Sequence, residues 1–545
     1  MMSRILSCLF VLLTFLSCNQ QPTLFKLVDA RKSGITFNNQ IFEGGEFNII
    51  DLSYLYNGGG VSVGDFNNDG LEDIFFTGNM VDNQLYLNQG GMKFENVTET
   101  AGVATPKRWS YGSATVDING DGWLDIYVCN SILGKEEDRK NMLFINQGLD
   151  DEGKPIFKDE AAAYGLDDGG HSSMASFLDY DADGDLDVFI LSNSKVKGIP
   201  SVYKPKVNDG SSDNTDRLYR NNGDGTFTNV SNESGILKEG FGLGVSVLDV
   251  NQDLKPDIYV GNDYVTNDLF YVNDGEGQFR DVIDEMMTHQ SRFSMGNDAA
   301  DINNDGHMDI ITVDMQPETN LRKKTVMVGN GYIVYIYDYK YGYTHQYPRN
   351  MLQLNNGNLS FSEIGQLSGV HQTEWSWSPL FADIDNDGLK DLLVTNGFPK
   401  DITDNDFINF RKNAGAFTSR ETLLAQIPVV KIPNYVFKNE GGLGFTDVSK
   451  EWGFTQASFS NGAAFADFDL DGDLDYVVNN INDQAFLYEN QAVDRQKEQA
   501  NYLRIALKGP STNSSALGAK VSITYGGGLT QYHDHNIYRG YVSTV

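Results

Sequence analysis

The sequence predicts an all-β protein folded as a seven-bladed β-propeller. Three observations predict it: an acidic nonapeptide recurs seven times, a β-branched and aromatic run follows each copy, and a hairpin pattern follows six of these runs. Units of four short strands that recur along a chain are the sequence signature of a propeller. The 56 glycines against 13 prolines also favour short strands joined by tight turns.

The N-terminal residues are typical of an export signal. Arg4 precedes the apolar run ILSCLFVLLTFLSC, which is short for a membrane span. The run ends in FLSC at Cys18, which resembles the lipobox of bacterial lipoproteins; an ordinary signal peptide with an incidental cysteine is the alternative. We therefore predict a signal peptide at 1–17, a lipidated linker at 18–23, and anchoring at the outer membrane or cell surface of a Gram-negative bacterium.

The recurring nonapeptide has the pattern D-x-[DN]-x-D-G-x-x-D. We number its copies as acidic loops 1 to 7; they begin at Asp65, Asp117, Asp179, Asp249, Asp301, Asp383 and Asp467. Calcium prefers six to eight oxygen ligands, which such a loop offers at positions 1, 3, 5, 7 and 9. Strand signals flank every copy where an EF-hand would need helices. Each loop is therefore predicted to join the first and second strands of a blade.

Six loops keep the full pattern and predict about six calcium sites. Their side-chain ligands would be Asp65, Asn67, Asp69 and Asp73; Asp117, Asn119, Asp121 and Asp125; Asp179, Asp181, Asp183 and Asp187; Asp301, Asn303, Asp305 and Asp309; Asp383, Asp385, Asp387 and Asp391; and Asp467, Asp469, Asp471 and Asp475. Loop 4 has leucine in place of glycine, followed by Lys255. We predict a weak or empty site there, at Asp249, Asn251, Asp253 and Asp257.

The seventh unit lacks a fourth strand of its own. The segment LFKLVDARKSGI at 24–35 is similar to the fourth-strand segments KFENVTETAGV and TFTNVSNESGI. We predict that residues 24–36 complete the last blade and close the ring, so that the propeller spans 24–493. Closure removes the exposed sheet edges of an open array.

These repeats resemble the FG-GAP/VCBS repeats of integrin α-subunit propellers. The resemblance implies that calcium loops occupy the connections between first and second strands. The tail at 494–545 is similar to the ASPIC/UnbV domain, chiefly at Asn501, Leu503, Leu517, Gly518, Ala519 and Gly540-Tyr541. We expect it to form a small β domain that is truncated at Val545.

Three connections between second and third strands are long: Asp187 to Asn221, Asp309 to Asn355 and Asp391 to Asn439. In a propeller they emerge opposite the acidic loops, on what we call the insertion face. Long loops on a rigid scaffold commonly carry binding residues. The candidate ligand residues are Tyr332, Tyr335, Tyr343, Trp375 and Trp377, with Lys340 among the tyrosines. Packing between blades is the alternative role for both tryptophans.

The charge and the motifs restrict the function. A formal net charge of -34 argues against nucleic acid as a partner. No G-x-S-x-G, Walker or H-E-x-x-H motif is present, and we predict no catalytic residues. The main hypothesis is a non-enzymatic calcium-binding adhesion module for a protein or glycan. The alternatives are a calcium-dependent polysaccharide lyase or glycosidase, and an accessory subunit of an outer-membrane uptake or adhesion complex.

Overall fold

The computed structural model describes residues 23–45, 47–194, 203–326, 331–415, 418–495 and 501–545. Within these ranges, seven blades of four antiparallel strands follow one another, and the sheet of blade 1 is extended by two C-terminal strands. The first strand of each blade contacts the first strands of both neighbouring blades. This confirms the predicted seven-bladed propeller. The predicted signal peptide and Cys18 lie outside the described residues. No described helix is long and apolar enough to cross a membrane.

The strands are given in chain order. Strand β1 is Phe25–Leu27; blade 1 holds β2 (Val61–Gly64), β3 (Asp73–Phe76), β4 (Gln84–Asn88) and β5 (Phe94–Asn96); blade 2 holds β6 (Ser110–Val116), β7 (Asp125–Asn130), β8 (Met142–Leu149) and β9 (Pro155–Asp159). Blade 3 holds β10 (Ser172–Leu178), β11 (Asp187–Ser192), β12 (Arg217–Asn221) and β13 (Phe227–Asn229); blade 4 holds β14 (Gly242–Leu248), β15 (Asp257–Asn262), β16 (Leu269–Asn273) and β17 (Phe279–Asp281).

The remaining strands complete the ring and the tail. Blade 5 follows β18 (Gln290–Ser291) and holds β19 (Asn297–Ala300), β20 (Asp309–Thr312), β22 (Met351–Asn355) and β23 (Phe361–Glu363), with β21 (Gln346–Tyr347) paired to β18. Blade 6 holds β24 (Ser376–Ala382), β25 (Asp391–Asn396), β27 (Tyr435–Asn439) and β28 (Phe445–Asp447); β26 (Ile432–Pro433) pairs with β29 (Ala457–Ser458). Blade 7 holds β30 (Ser460–Ala466), β31 (Asp475–Asn480) and β32 (Phe486–Asn490), and the tail holds β33 (Lys520–Tyr525), β34 (Leu529–Asp534), β35 (Tyr538–Arg539) and β36 (Ser543–Thr544).

Short helices follow most fourth strands, and longer ones lie in the insertions. They are α1 (Ala30–Ser33), α2 (Thr98–Ala101), α3 (Ala161–Tyr164), α4 (Ile283–Met286), α5 (Asn320–Thr325), α6 (Tyr332–Tyr341), α7 (Gly365–Ser368), α8 (Asn405–Asn413), α9 (Arg420–Ala425), α10 (Ser449–Trp452) and α11 (Ala492–Arg495), with 3-10 turns at Glu137–Arg139 and Ser511–Asn513. Gly453 ends α10 at a φ of 107°, and a Cβ there would lie 2.5 Å from the carbonyl oxygen of Phe25. Glycine therefore permits both the helix end and the close approach of the neighbouring strand.

The N-terminal strand closes the ring. Strand β1 pairs antiparallel with β32, with Phe25 opposite Asn490 and Leu27 opposite Tyr488, and so forms the fourth strand of blade 7. Phe25 is buried, and its ring centroid lies 5.1 Å from that of Phe454. The predicted closing strand is confirmed.

The C-terminal segment enters the centre of the ring. Strands β35 and β36 form a hairpin, and Thr544 pairs with Ser62 on the innermost strand of blade 1. Tyr538 and Tyr541 are buried in the same apolar cluster as inner-strand residues of several blades. The segment predicted as a small separate β domain is thus anchored inside the propeller.

The opposite end of the centre is filled by the connection that precedes blade 1. Tyr54, Leu55 and Tyr56 are buried there, and the hydroxyl of Tyr111 donates a hydrogen bond of 2.9 Å to the carbonyl oxygen of Tyr54. Because protein fills both ends of the central channel of the ring, the surfaces open to a ligand are the two outer faces of the propeller.

Candidate metal loops and binding face

The seven acidic loops share one hydrogen-bonded frame. In loop 1 the carboxylate of Asp65 accepts from the backbone N–H groups of Asp69 (3.0 Å) and Gly70 (2.8 Å). The ninth-position Asp73 accepts from the N–H groups of Phe66 (3.0 Å) and Asn88 (2.8 Å). The ninth aspartate makes these two contacts in all seven loops. It therefore ties each loop to the third strand of its blade.

The ninth aspartate is buried in every loop. Desolvation raises the pKa of Asp73, Asp187 and Asp309 to about 8 and that of Asp125 and Asp257 to about 7; it raises the pKa of Asp391 and Asp475 well above the usual range. A buried carboxylate favours a bound proton or a nearby cation, because burial penalises its charged form.

An asparagine near the end of each third strand indicates only a hairpin at the level of the sequence. In the structure the amide group of Asn146 donates a hydrogen bond of 3.0 Å to the carbonyl oxygen of Phe66 in the loop of the preceding blade. Asn490 does the same to Ile384, at 2.9 Å. The sequence feature that could have indicated this contact is an asparagine at the same position of all seven units. Five of the seven asparagines make this contact, and they connect acidic loops 1, 3, 5, 6 and 7 to the next blade.

The residue at position 3 divides the loops into two classes. Loops 1, 2, 4 and 5 have asparagine there, and its amide group donates to the carboxylate at position 5, as Asn67 does to Asp69 at 2.9 Å. Loops 3, 6 and 7 have aspartate, and three carboxylates of each of these loops have ligand atoms within 4.8 Å of one another. The internal hydrogen bond relieves repulsion only in the asparagine class.

Carboxylate oxygens without a hydrogen-bond partner occur in the loops that have aspartate at position 3. In the described part of the chain, the acidic-loop oxygens that are buried without a hydrogen-bond partner belong to loops 3, 6 and 7: one oxygen each of Asp179, Asp185, Asp385, Asp469 and Asp473. A buried acceptor without a partner costs free energy unless a cation or proton meets it. A set of hard carboxylate oxygens fits Ca²⁺. The chemistry of these three loops therefore fits the predicted ion.

Loop 4 keeps the turn although it lacks the glycine. Leu254 has a φ of 68°, and its N–H donates to the carboxylate of Asp249 at 2.9 Å, as glycine does in the other loops. Two ammonium groups lie nearby: Lys255 Nζ is 3.7 Å from Asp253 Oδ2, and Lys520 Nζ is 3.8 Å from Asp249 Oδ2. The loop in which a weak or empty metal site is predicted thus has two lysine ammonium groups beside its carboxylates.

On the insertion face, the long insertions of blades 3 and 5 pack on each other. The ring of Tyr203 lies 5.3 Å from that of Tyr337, and its hydroxyl lies 2.6 Å from Asp338 Oδ1. Arg292 Nη2 donates to the same hydroxyl at 3.1 Å. Asp338 is buried on the inner side of α6. These contacts hold the helix at a fixed position.

The outer side of α6 presents aromatic side chains to solvent. Tyr332, Tyr335 and Tyr339 are 78%, 51% and 80% exposed. The predicted ligand residue Tyr343 is instead buried, and its hydroxyl donates to the carbonyl oxygen of Lys204 at 3.0 Å. Lys340 lies over the Tyr341 ring, with its Nζ 5.5 Å from the centroid.

The structure corrects the placement of the two tryptophans. Trp377 is 1% exposed, and its indole N–H donates to the carbonyl oxygen of Gly397 at 2.8 Å. Trp375 stacks on Phe398 with ring centroids 3.9 Å apart. Trp377 is the second residue of β24, the buried inner strand of blade 6, and Trp375 immediately precedes that strand, so both pack between segments of the propeller.

The repeats match a known family model. The model, described as an FG-GAP-like repeat, matches residues 46–128, 207–260, 249–312 and 332–394. No curated protein matches the chain significantly. A solved structure with which it aligns is a lectin of Agrocybe aegerita that recognises non-reducing terminal N-acetylglucosamine, at 16% identity over 72% of this chain and 83% of the lectin, with a TM-score of 0.36. These stretches of the chain are thus similar to FG-GAP-like repeats, and its sheets form the seven blades of a β-propeller.

Proposed function

We propose that this protein is a non-enzymatic, calcium-binding module that binds a protein or glycan through its insertion face at the cell surface. The observation that carries the proposal is the outer side of α6, where Tyr332, Tyr335 and Tyr339 are exposed together. Tyrosine buries a large amphipathic surface and loses little conformational entropy on binding. An aromatic surface already held in place by Tyr203 and Asp338 loses less entropy still.

Calcium has a structural role in this proposal. An ion in loop 3 or 7 would meet carboxylate oxygens that have no other partner and would join the first strand of a blade to the second. An ion that binds only the folded chain stabilises it by mass action, by about 2.7 kcal/mol at a free concentration near 100 times the Kd.

The position of the N-terminal strand supports the orientation of the proposed binding face. Phe25 pairs with Asn490, whose N–H bonds to Asp475 at the end of acidic loop 7. The described chain therefore enters the propeller at the acidic-loop face. A lipid on Cys18, a few residues earlier, would hold that face near the membrane and leave the insertion face directed outward.

The test compares ligand binding by matched variants of the calcium-loaded full chain. A glycan array and an affinity capture from envelope proteins are run with the wild type, with Tyr332→Ala/Tyr335→Ala/Tyr339→Ala, and with Leu367→Ala, an exposed residue at the end of blade 5. We expect the triple variant to lose a wild-type ligand that Leu367→Ala retains, at unchanged melting temperature. Retention of every ligand by the triple variant would refute binding through α6.

A further inference from the structure

In three blades, the residue that precedes the third-strand asparagine is charged and lies beside the acidic loop of its own blade. In blades 1 to 7 this residue is Leu87, Ile145, Arg220, Val272, Leu354, Lys438 and Glu489. The charge of Arg220 acts on Asp181 of loop 3, and that of Glu489 acts on Asp469 of loop 7. The loops thus share a motif but differ in the charge placed next to it.

Lys438 lies within the ligand set of loop 6. Its Nζ donates to Asp387 Oδ2 at 2.7 Å and also hydrogen-bonds to Asp385. These two carboxylates stand at positions 5 and 3, which a calcium ion would need. The lysine side chain is held from the third strand of the same blade, where its neighbour Asn439 donates to the ninth aspartate, Asp391, at 2.8 Å. Its ammonium group is therefore built into the site.

Loop 7 has the opposite environment. Glu489 places a further carboxylate beside Asp469, and buried oxygens of Asp469 and Asp473 have no hydrogen-bond partner. Asp473 is buried and its other oxygen accepts from the N–H of Val493 at 2.9 Å. The only basic group paired with Glu489 among the described residues is Lys26, at 2.6 Å, on the closing strand. No lysine or arginine of the described chain lies within ion-pair distance of Asp467, Asp469, Asp471 or Asp475.

We propose that Lys438 is an intramolecular counter-ion that replaces calcium in loop 6, so that the charge beside each loop, rather than the loop motif, ranks the sites. The inference rests on the proposed calcium binding. It places loops 4 and 6, whose carboxylates lie beside lysine ammonium groups, last in affinity. Two positive charges a few ångströms apart repel, so an ammonium in the site weakens calcium binding by more than about tenfold.

Terbium luminescence can report on loop 6 when every protein carries Trp123→Phe, because Trp123 lies within acidic loop 2. Lys438 Nζ lies 5.9 Å from the ring centroid of Trp452, so a Tb³⁺ ion that replaced the ammonium would lie close to this indole. Tryptophan-excited Tb³⁺ emission is titrated for the full chain, for Lys438→Leu and for Lys438→Gln, and calcium stoichiometry is measured by native mass spectrometry. Lys158→Leu is the control, because Lys158 pairs with Glu160 away from the loops and the variant makes the same charge change.

We expect Lys438→Leu and Lys438→Gln to bind one more calcium ion than the wild type and to gain Tb³⁺ emission. The gain should disappear when Trp452→Phe is added, and Lys158→Leu should behave as the wild type. Calcium binding by the wild type with an unchanged stoichiometry in both Lys438 variants would overturn the inference and leave the proposed function standing. A wild type and variants that all bind no calcium would overturn both.

Discussion

Arg539 donates two hydrogen bonds, of 2.8 and 2.7 Å, to the two carboxylate oxygens of Asp298 at the centre of the ring. Asp298 lies on the innermost strand of blade 5 and is 1% exposed. Arg539 also donates to the carbonyl oxygen of Phe381 in blade 6, at 2.8 Å. This bidentate ion pair fixes the C-terminal hairpin to two blades.

Removing the arginine should destabilise the whole propeller. Arg539→Ala leaves the Asp298 charge buried without a counter-charge, and we expect the free energy of unfolding in urea to fall by about 3–5 kcal/mol. The control is Arg31→Ala, which removes an exposed pair with Asp29 and should leave the urea midpoint unchanged. Equal urea midpoints for the two variants would contradict a structural role for the hairpin.

The closing strand β1 should stabilise the folded propeller mainly through the buried ring of Phe25. Phe25→Ala removes the side chain that packs on Phe454 and Tyr488. We expect a loss of about 3–5 kcal/mol in the free energy of unfolding, as for other buried phenylalanines. Leu27→Ala changes a largely exposed residue of the same strand and is expected to cost far less. A similar loss in both variants would argue against packing as the cause.

Calcium removal should lower the melting temperature, and the two loop classes should differ. We expect EGTA to lower the melting temperature of the wild type and to have a smaller effect on Asp469→Ala, which loses an unpartnered carboxylate of loop 7. Asn67→Ala, in a loop closed by its own amide hydrogen bond, should retain most of the EGTA effect. Differential scanning calorimetry measures each shift. Wild-type protein that melts identically with and without EGTA would exclude a stabilising metal.

Buried carboxyl groups outside the loops predict a pH dependence. Burial raises the pKa of Asp263 to about 8, above the value of about 3.9 for aspartate in an unfolded chain. The folded state therefore binds this proton more tightly. The resulting stabilisation is complete below the unfolded pKa and is lost as the pH rises through about 8.

Asp263→Asn removes that contribution because the amide does not titrate. Between about pH 6 and pH 9, we expect the free energy of unfolding to fall more steeply for the wild type than for the variant. Calcium is kept saturating at every pH, so that the acidic loops contribute equally to the two profiles. Parallel pH profiles for the two proteins would show that the carboxyl group at position 263 does not retain its proton in the folded state.

Much of the fold could be predicted because it recurs as local patterns. The number of blades follows from the number of acidic loops, and the closing strand follows from the likeness of 24–35 to the other fourth-strand segments. The sequence also shows that position 3 of the acidic loops is asparagine in some copies and aspartate in others. The effect of this difference becomes clear only from the structure, where Asn67 donates a hydrogen bond to Asp69.

Features set by contacts distant in the sequence could not be predicted in this way. No local pattern indicates that Thr544 pairs with Ser62 inside the ring. The inner strand that contains Trp377 is buried on both faces, so alternation does not distinguish a packed tryptophan from a ligand-binding one. In α6, apolar residues occur on all sides, which hides that Tyr339 faces solvent while Asp338 faces the protein.

The pairing of Lys26 with Glu489 sets the timing of folding during synthesis. The two residues are 463 positions apart, so the first strand to leave the ribosome waits for nearly the last one. At about 5–20 residues per second, this interval is roughly 25–90 s. Throughout it, blade 7 is absent and the edges of the unfinished array stay unpaired. Until the ring closes, these unpaired edges are the sites at which aggregation competes with folding.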